Sequence, residues 1–288
     1  MNIQSLEYDY QIRRLALGVE FEDYLRDAEL IFPLRVEIER DSPHVSPSPA
    51  RKYDFKQLGT QLPDGLLRSN SGRYSLTYYP GIREQIDLRC YDYERNYIPR
   101  RFRVPLLTLQ DVIDIEEDEI PDYTFARIRQ VVMFPGAAYH CHPQVTGLRG
   151  RVERDGAPMR WVYVEVRMPG NLNIIARTRG DDRGEFLLLL PPQSFTASDL
   201  SNTLDLEISI VGPVTKPVPA TENLPQQDQL WDLPLEELPP AGGIDDVASG
   251  ESYPAGYVTA LSSVRTVTFV IGRLLTGRDE DDFDFVMP

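Results

Sequence analysis

Leu204-Asp-Leu-Glu-Ile-Ser-Ile210 alternates apolar and polar residues with a period of two. Successive side chains of a strand point to opposite faces, so this pattern describes a half-buried strand; a helix would repeat every 3.6 residues. The alternation recurs outward from it. Trp161-Val-Tyr-Val-Glu-Val-Arg167 and Val264-Arg-Thr-Val-Thr-Phe-Val-Ile271 carry it in the second half, and Leu34-Arg-Val-Glu-Ile-Glu-Arg40 and Gln85-Ile-Asp-Leu-Arg-Cys90 in the first. Phe186-Leu-Leu-Leu-Leu190 is apolar throughout, as expected for a strand buried on both faces. Gly, Pro, Asn or Asp bounds each run. Helix candidates are few: Tyr8 to Leu17, and Leu109 to Glu119, whose acids Asp111, Asp114, Glu116, Glu117, Asp118 and Glu119 make a solvated loop an equal reading. The pattern predicts an all-β chain of sandwiches.

An internal repeat organises these strands. In the second half, Leu148-Arg-Gly-Arg-Val-Glu153 leads through the turn Arg154 to Pro158 into the strand Trp161 to Arg167. A polar turn, Gly180-Asp-Asp-Arg-Gly184, then opens Phe186 to Leu190, which stops at Pro191-Pro192 before the strand Leu204 to Ile210. In the first half, Gly18 to Asp23 leads through Tyr24 to Phe32 into Pro33 to Glu39. There Leu67 to Leu76 mirrors the polar glycine turn, Tyr79-Pro-Gly81 is the stop and Gln85 to Cys90 follows. The predicted division is 1–143, with a proline-rich insert at 41–64, and 144–288, with a proline-rich extended segment at 213–252. In that segment Trp231, Leu233, Leu235 and Leu238 read as apolar anchors, which a free linker would rarely carry.

Composition narrows the role. With 30 basic and 45 acidic residues among 288, the net charge is −15, and so acidic a surface repels phosphate backbones. No nucleic-acid partner is expected. Its 24 prolines and 19 glycines cut the chain into short segments and argue against a helical bundle. The apolar runs are far too short to cross a bilayer, so no membrane span is expected. Met1 to Tyr10 lacks a basic stretch followed by an apolar one, so the expectation is cytoplasmic synthesis without a signal peptide, with any release occurring inside an assembled particle. Cys90 and Cys141 make no disulfide framework, though one bridge stays open.

Gly147-Leu-Arg-Gly-Arg-Val-Glu-Arg-Asp-Gly-Ala-Pro158, Val162 to Val166, Thr178-Arg-Gly-Asp-Asp-Arg-Gly-Glu-Phe186 and Leu190-Pro-Pro192 together resemble the carboxypeptidase regulatory-like family, a transthyretin-like β-sandwich module. The resemblance covers about residues 145–212, and a weaker copy lies in the first half. It implies tandem Ig/transthyretin-like β-sandwich domains, a packing or recognition role and no family active site. A soluble, acidic tandem sandwich also resembles accessory proteins of phage tails and phage-tail-like injection particles.

Several residue groups are candidates for chemistry or contact. His140-Cys141-His142, read as a strand, puts both imidazoles on one face, about 6.5–7 Å apart at Cα, a spacing that suits two zinc or copper ligands. Further ligands would have to come from His44, Cys90 or carboxylates, and the connecting-loop reading stands beside the metal one. Asp181, Asp182 and Glu185 fall short of a calcium ligand set and read as a hairpin turn. Arg100, Arg101 and Arg103 form the one basic cluster: an acidic-partner site or nucleic-acid patch on one reading, and, favoured by the charge of −15, intramolecular countercharge or a protein interface on the other. Trp231, Phe283 and Phe285 are interface candidates, the last two on a tail that adds a strand to a neighbour's edge or frays. Neither a nucleophile elbow nor a phosphate loop appears, so no catalytic residue and no cofactor are expected. The expected function is that of a non-enzymatic component of a multi-subunit particle, with other protein subunits as partners. A phage-tail-like contractile injection system is the specific reading, and a carbohydrate- or peptide-binding module is the alternative.

Overall fold

Alternation along the strands feeds two separate apolar cores. The computed structural model describes residues 13–26, 28–30, 32–39, 66–118, 127–191, 202–218, 228–240, 245–259, 264–276 and 284–287. The insert at 41–64, the N-terminal residues 1–12, His44 and Phe283 lie outside these. The first half contains β1 (Leu15–Asp23), β2 (Ala28–Glu29), β3 (Arg35–Ile38), β4 (Leu67–Arg68), β5 (Tyr74–Thr77), β6 (Gln85–Tyr91), β7 (Arg100–Pro105), helix α1 (Leu109–Glu117) and β8 (Ile128–Met133). Strand β1 pairs antiparallel with β2 and β5 and parallel with β8, and β4 extends the sheet from β5. The facing sheet runs β3-β6-β7 and ends on β15 (Leu235–Glu237), contributed by the proline-rich segment and parallel to β7. Leu17, Val19, Phe21, Tyr74, Leu76, Leu88, Phe102 and Val104 fill the core between them.

The second half contains β9 (Gly147–Arg154), β10 (Ala157–Pro158), β11 (Tyr163–Arg167), β12 (Ile174–Arg179), β13 (Glu185–Leu189) and β14 (Thr203–Pro213). Beyond β15 come helix α2 (Asp246–Ser249), β16 (Tyr257–Thr259), β17 (Arg265–Val270), β18 (Leu274–Leu275) and β19 (Asp284–Met287). Strand β9 pairs antiparallel with β10 and β13 and parallel with β18 and β19. The facing sheet runs β12-β11-β14 and closes on β17 and β16. The fold is all-β and sandwich-like, with two short helices among the described residues.

The wholly apolar run in β13 has a direct consequence. Leu187 and Leu189 face the first core, whereas Phe186, Leu188 and Leu190 face the second, so this one strand is the wall between them. The polar turn before it needs a glycine: Gly184 has φ +72°, and a Cβ there would sit 2.5 Å from the Val152 carbonyl oxygen. Gly72, with φ +81°, serves the matching turn before β5.

Two local expectations differ from the structure. Leu15 to Leu17 belong to strand β1 and not to a helix, because Leu17, Val19 and Phe21 bury every second residue against the first core. Trp161 precedes β11; its φ of +59° takes it off the ladder and turns its indole toward the proline-rich segment. The connecting-loop reading of His140 and His142 holds: both lie between β8 and β9, with Pro143 next, and no strand sets their spacing. Of the two readings of 109–119, the helix holds over Leu109–Glu117: Thr108 Oγ1 accepts from the Asp111 amide, Asp111 accepts in return from the Thr108 amide, and Val112 is buried. Among the described residues no helix is long and apolar enough to cross a membrane.

Candidate functional site

The densest convergence of ionisable groups lies where the proline-rich segment crosses between the halves. Strand β15 places Glu236 opposite Phe102, an inward-facing position of β7, so its carboxylate enters the interior. Arg100 begins β7 on the same face, and Arg179 ends β12 in the other half. Arg100 donates to Glu236 through Nε at 3.1 Å and Nη2 at 2.6 Å, and Arg179 through Nη1 at 2.7 Å and Nη2 at 2.9 Å. An ionised carboxylate has about four acceptor sites, and four charged donors fill them.

Both cations are held from further sides. Arg100 Nη1 donates to the Val132 carbonyl at 2.6 Å and the Ala248 carbonyl at 2.8 Å, and Nη2 donates to Val247. All five of its N–H groups are thereby used. The Arg179 guanidinium lies between the rings of Phe134, 5.0 Å away, and Tyr163, 4.4 Å away. Burial alone would raise the Glu236 carboxyl, but Arg100 and Arg179 overcome it and hold its pKa at about 2. Arg100 is lowered, because burial and the like charge of Arg179 outweigh its share of the single anion.

A polar layer surrounds this triad. Tyr253 donates to Glu165, which also accepts from Arg167 Nη2 at 2.6 Å, and Tyr257 donates to the Trp161 carbonyl at 3.0 Å. Both tyrosine rings meet Tyr163 edge-on, and burial pushes the Tyr163 hydroxyl up to about 12. Trp161 Nε1 donates to Asp232 at 2.8 Å, Arg160 pairs with the same carboxylate at 2.7 Å, and its guanidinium lies over the Trp231 ring. The space left among Trp161, Tyr163, Arg179, Leu233 and Glu236 is about 10 Å³, room for a single water. A carboxylate with every acceptor filled and its pKa far below neutral is a poor base and a poor nucleophile. Chemically the arrangement is a brace.

The structure disperses the sequence candidates. Arg100 is wholly buried in this brace, so it faces the chain's own interior and no outside partner. Arg101 binds Glu39 at 2.9 and 2.5 Å, and Arg103 binds Asp87 at 2.9 and 3.0 Å, on the outer face of the same sheet. Trp231 is an anchor of the crossing segment. Phe285 is buried in the second core. His140 and His142 are exposed, and the His142 ring accepts from the Gln144 amide. Among the described residues no three His, Cys, Asp or Glu side chains gather at metal-binding distance. The Asp181 turn is closed internally: Asp181 accepts from the amides of Arg183 and Glu185, and Arg95 grips Asp182 at 2.8 and 3.2 Å.

Sequence reasoning missed Glu236 and Arg179, whose partners lie 136 and 57 residues apart in the chain. The one available signal was an acid at a position flanked by Leu233 and Leu238, both buried. It also missed Asp23, buried at the end of β1, which accepts from Tyr97 at 3.0 Å and Tyr139 at 2.7 Å.

No family model matches the chain, and no curated protein matches it. Among solved structures, a 9R-lipoxygenase from Cyanothece PCC8801 aligns over 62% of this chain and 19% of its own, at 13% identity and a TM-score of 0.21. A likeness that slight carries no argument about fold or activity.

Proposed function

We propose that this chain is a non-enzymatic structural component of a multi-subunit particle, of the phage-tail-like contractile injection kind. The observation that carries the reading is the shared carboxylate of Glu236, which ties β7 of one half to β12 of the other and so makes a rigid spacer of two sandwiches. A spacer must transmit position, and a buried, fully bonded brace serves that end better than a flexible linker. The particle type rests on the resemblance of residues 145–212 to the carboxypeptidase regulatory-like module and on the charge of −15. The test is pull-down of the tagged protein from its native lysate, with electron microscopy of what co-elutes. Tubular or plate-like particles are expected; a monomer without partners after mild cross-linking contradicts the reading.

One observation favours the alternative, a carbohydrate- or peptide-binding module. Tyr78 and Tyr79 line an open groove of about 390 Å³ with Arg13, Arg14 and Leu109. Binding of a glycan or peptide that Tyr79→Ala abolishes would move the function there.

A further inference from the structure

We infer that the lane beside β9 is where two copies of this chain join, by exchanging β19. The inference deepens the assembly reading and rests on it, naming the surface and the partner. Strand β19 lies parallel to β9 in the register Asp284 to Arg151, Phe285 to Val152, Val286 to Glu153 and Met287 to Arg154. Among its described side chains, Phe285 is the anchor. Phe285 is 3% exposed in the second core, 5.8 Å from the Phe186 ring and beneath the Arg265 guanidinium, whereas Val286 is 66% exposed. Exchange would break this ladder and the contacts of Phe285 and remake the same set in the neighbouring copy.

The connection is long for the lane it serves. Leu275 stands opposite Leu148 and Asp284 opposite Arg151, so residues 276–283 join points only three β9 positions apart. Eight residues reach at most about 26–29 Å. That is enough to carry β19 to a second molecule while β18 stays seated at the start of its own lane. In the first half the corresponding lane is held by β8, which Arg100 fastens through the Val132 carbonyl, so exchange belongs to the second half alone.

The test uses full-length chains in a Cys141→Ser background. Val286 and Glu153 are register partners on the solvent face, so a chain with Glu153→Cys mixed with a chain carrying Val286→Cys forms a mixed disulfide only by exchange. The expected result is a covalent dimer containing both chains, with its yield cut about tenfold or more when Phe285→Ala is added to the Val286→Cys chain. The double variant in one chain reports whether the two positions meet at all. Internal cross-linking without the mixed dimer overturns the inference, and so does failure of both cross-links, which would remove β19 from β9. If the mixed dimer is absent but particles co-purify with the unmodified protein, exchange fails and the assembly reading stands; absence of both sinks the two together.

Discussion

Beside β1 the parallel lane is filled by β8, a strand of the same half, whereas beside β9 it is filled by β18 and β19, which arrive only after the chain has crossed to the first half and returned. The central strand order is shared, while β4, β12 and β16 have no counterparts. Strands β2-β1-β5 match β10-β9-β13, and the antiparallel series β3-β6-β7 matches β11-β14-β17. The first half takes a further strand, β15, from the segment that follows the second half's central strands. The halves are therefore interlaced: each needs segments beyond residue 227 to complete a sheet. This interlacing, together with the shared wall at β13, predicts that the two cores unfold as one cooperative unit.

The largest expected effect comes from the brace. Glu236→Ala leaves two buried guanidiniums facing each other without their anion, and a cost of about 3–5 kcal/mol is expected in urea unfolding. A second transition should emerge as the halves uncouple; an unchanged single transition would break the comparison. Acid acts on the same group. Its folded pKa of about 2 lies below the ordinary 4.5, so its contribution is complete above about pH 4.5 and fades as pH falls toward 2. Glu236→Gln should flatten that part of the stability curve.

The wall strand separates the cores residue by residue. Leu187→Ala and Leu188→Ala should each cost about 2–5 kcal/mol. Hydrogen exchange should then quicken in β1 and β6 for the first variant, and in β11 and β14 for the second. The same exchange pattern from both would erase the distinction between the cores. A smaller effect belongs to the first half alone: Tyr139→Phe removes one of the donors on buried Asp23 and should cost about 1.5 kcal/mol in the same unfolding experiment. The smallest is Thr108→Ala, which removes the cap of α1 for about 1 kcal/mol and should leave the second half untouched.

Period-two alternation was enough to read β3, β6, β11, β14 and β17, because their core-facing residues are apolar. It was not enough for β7 and β8. Arg100 and Arg129 occupy inward positions there, and a buried arginine looks like a surface residue in sequence. The continuous run before Pro191 revealed a strand covered on both sides, though not that each side belongs to a different core. Leucines and Trp231 marked the crossing segment as anchored. Its decisive residue, Glu236, is one acid among 45, and only the fold brings Arg100 and Arg179 to it.

The most direct test of the central claim, that one carboxylate joins the halves, is hydrogen–deuterium exchange of Glu236→Gln at neutral pH. Faster exchange is predicted together in β7, β12, β15 and α2, with β5 and β17 still protected. Acceleration confined to β15 would contradict the claim, because Glu236 would then pin only its own segment.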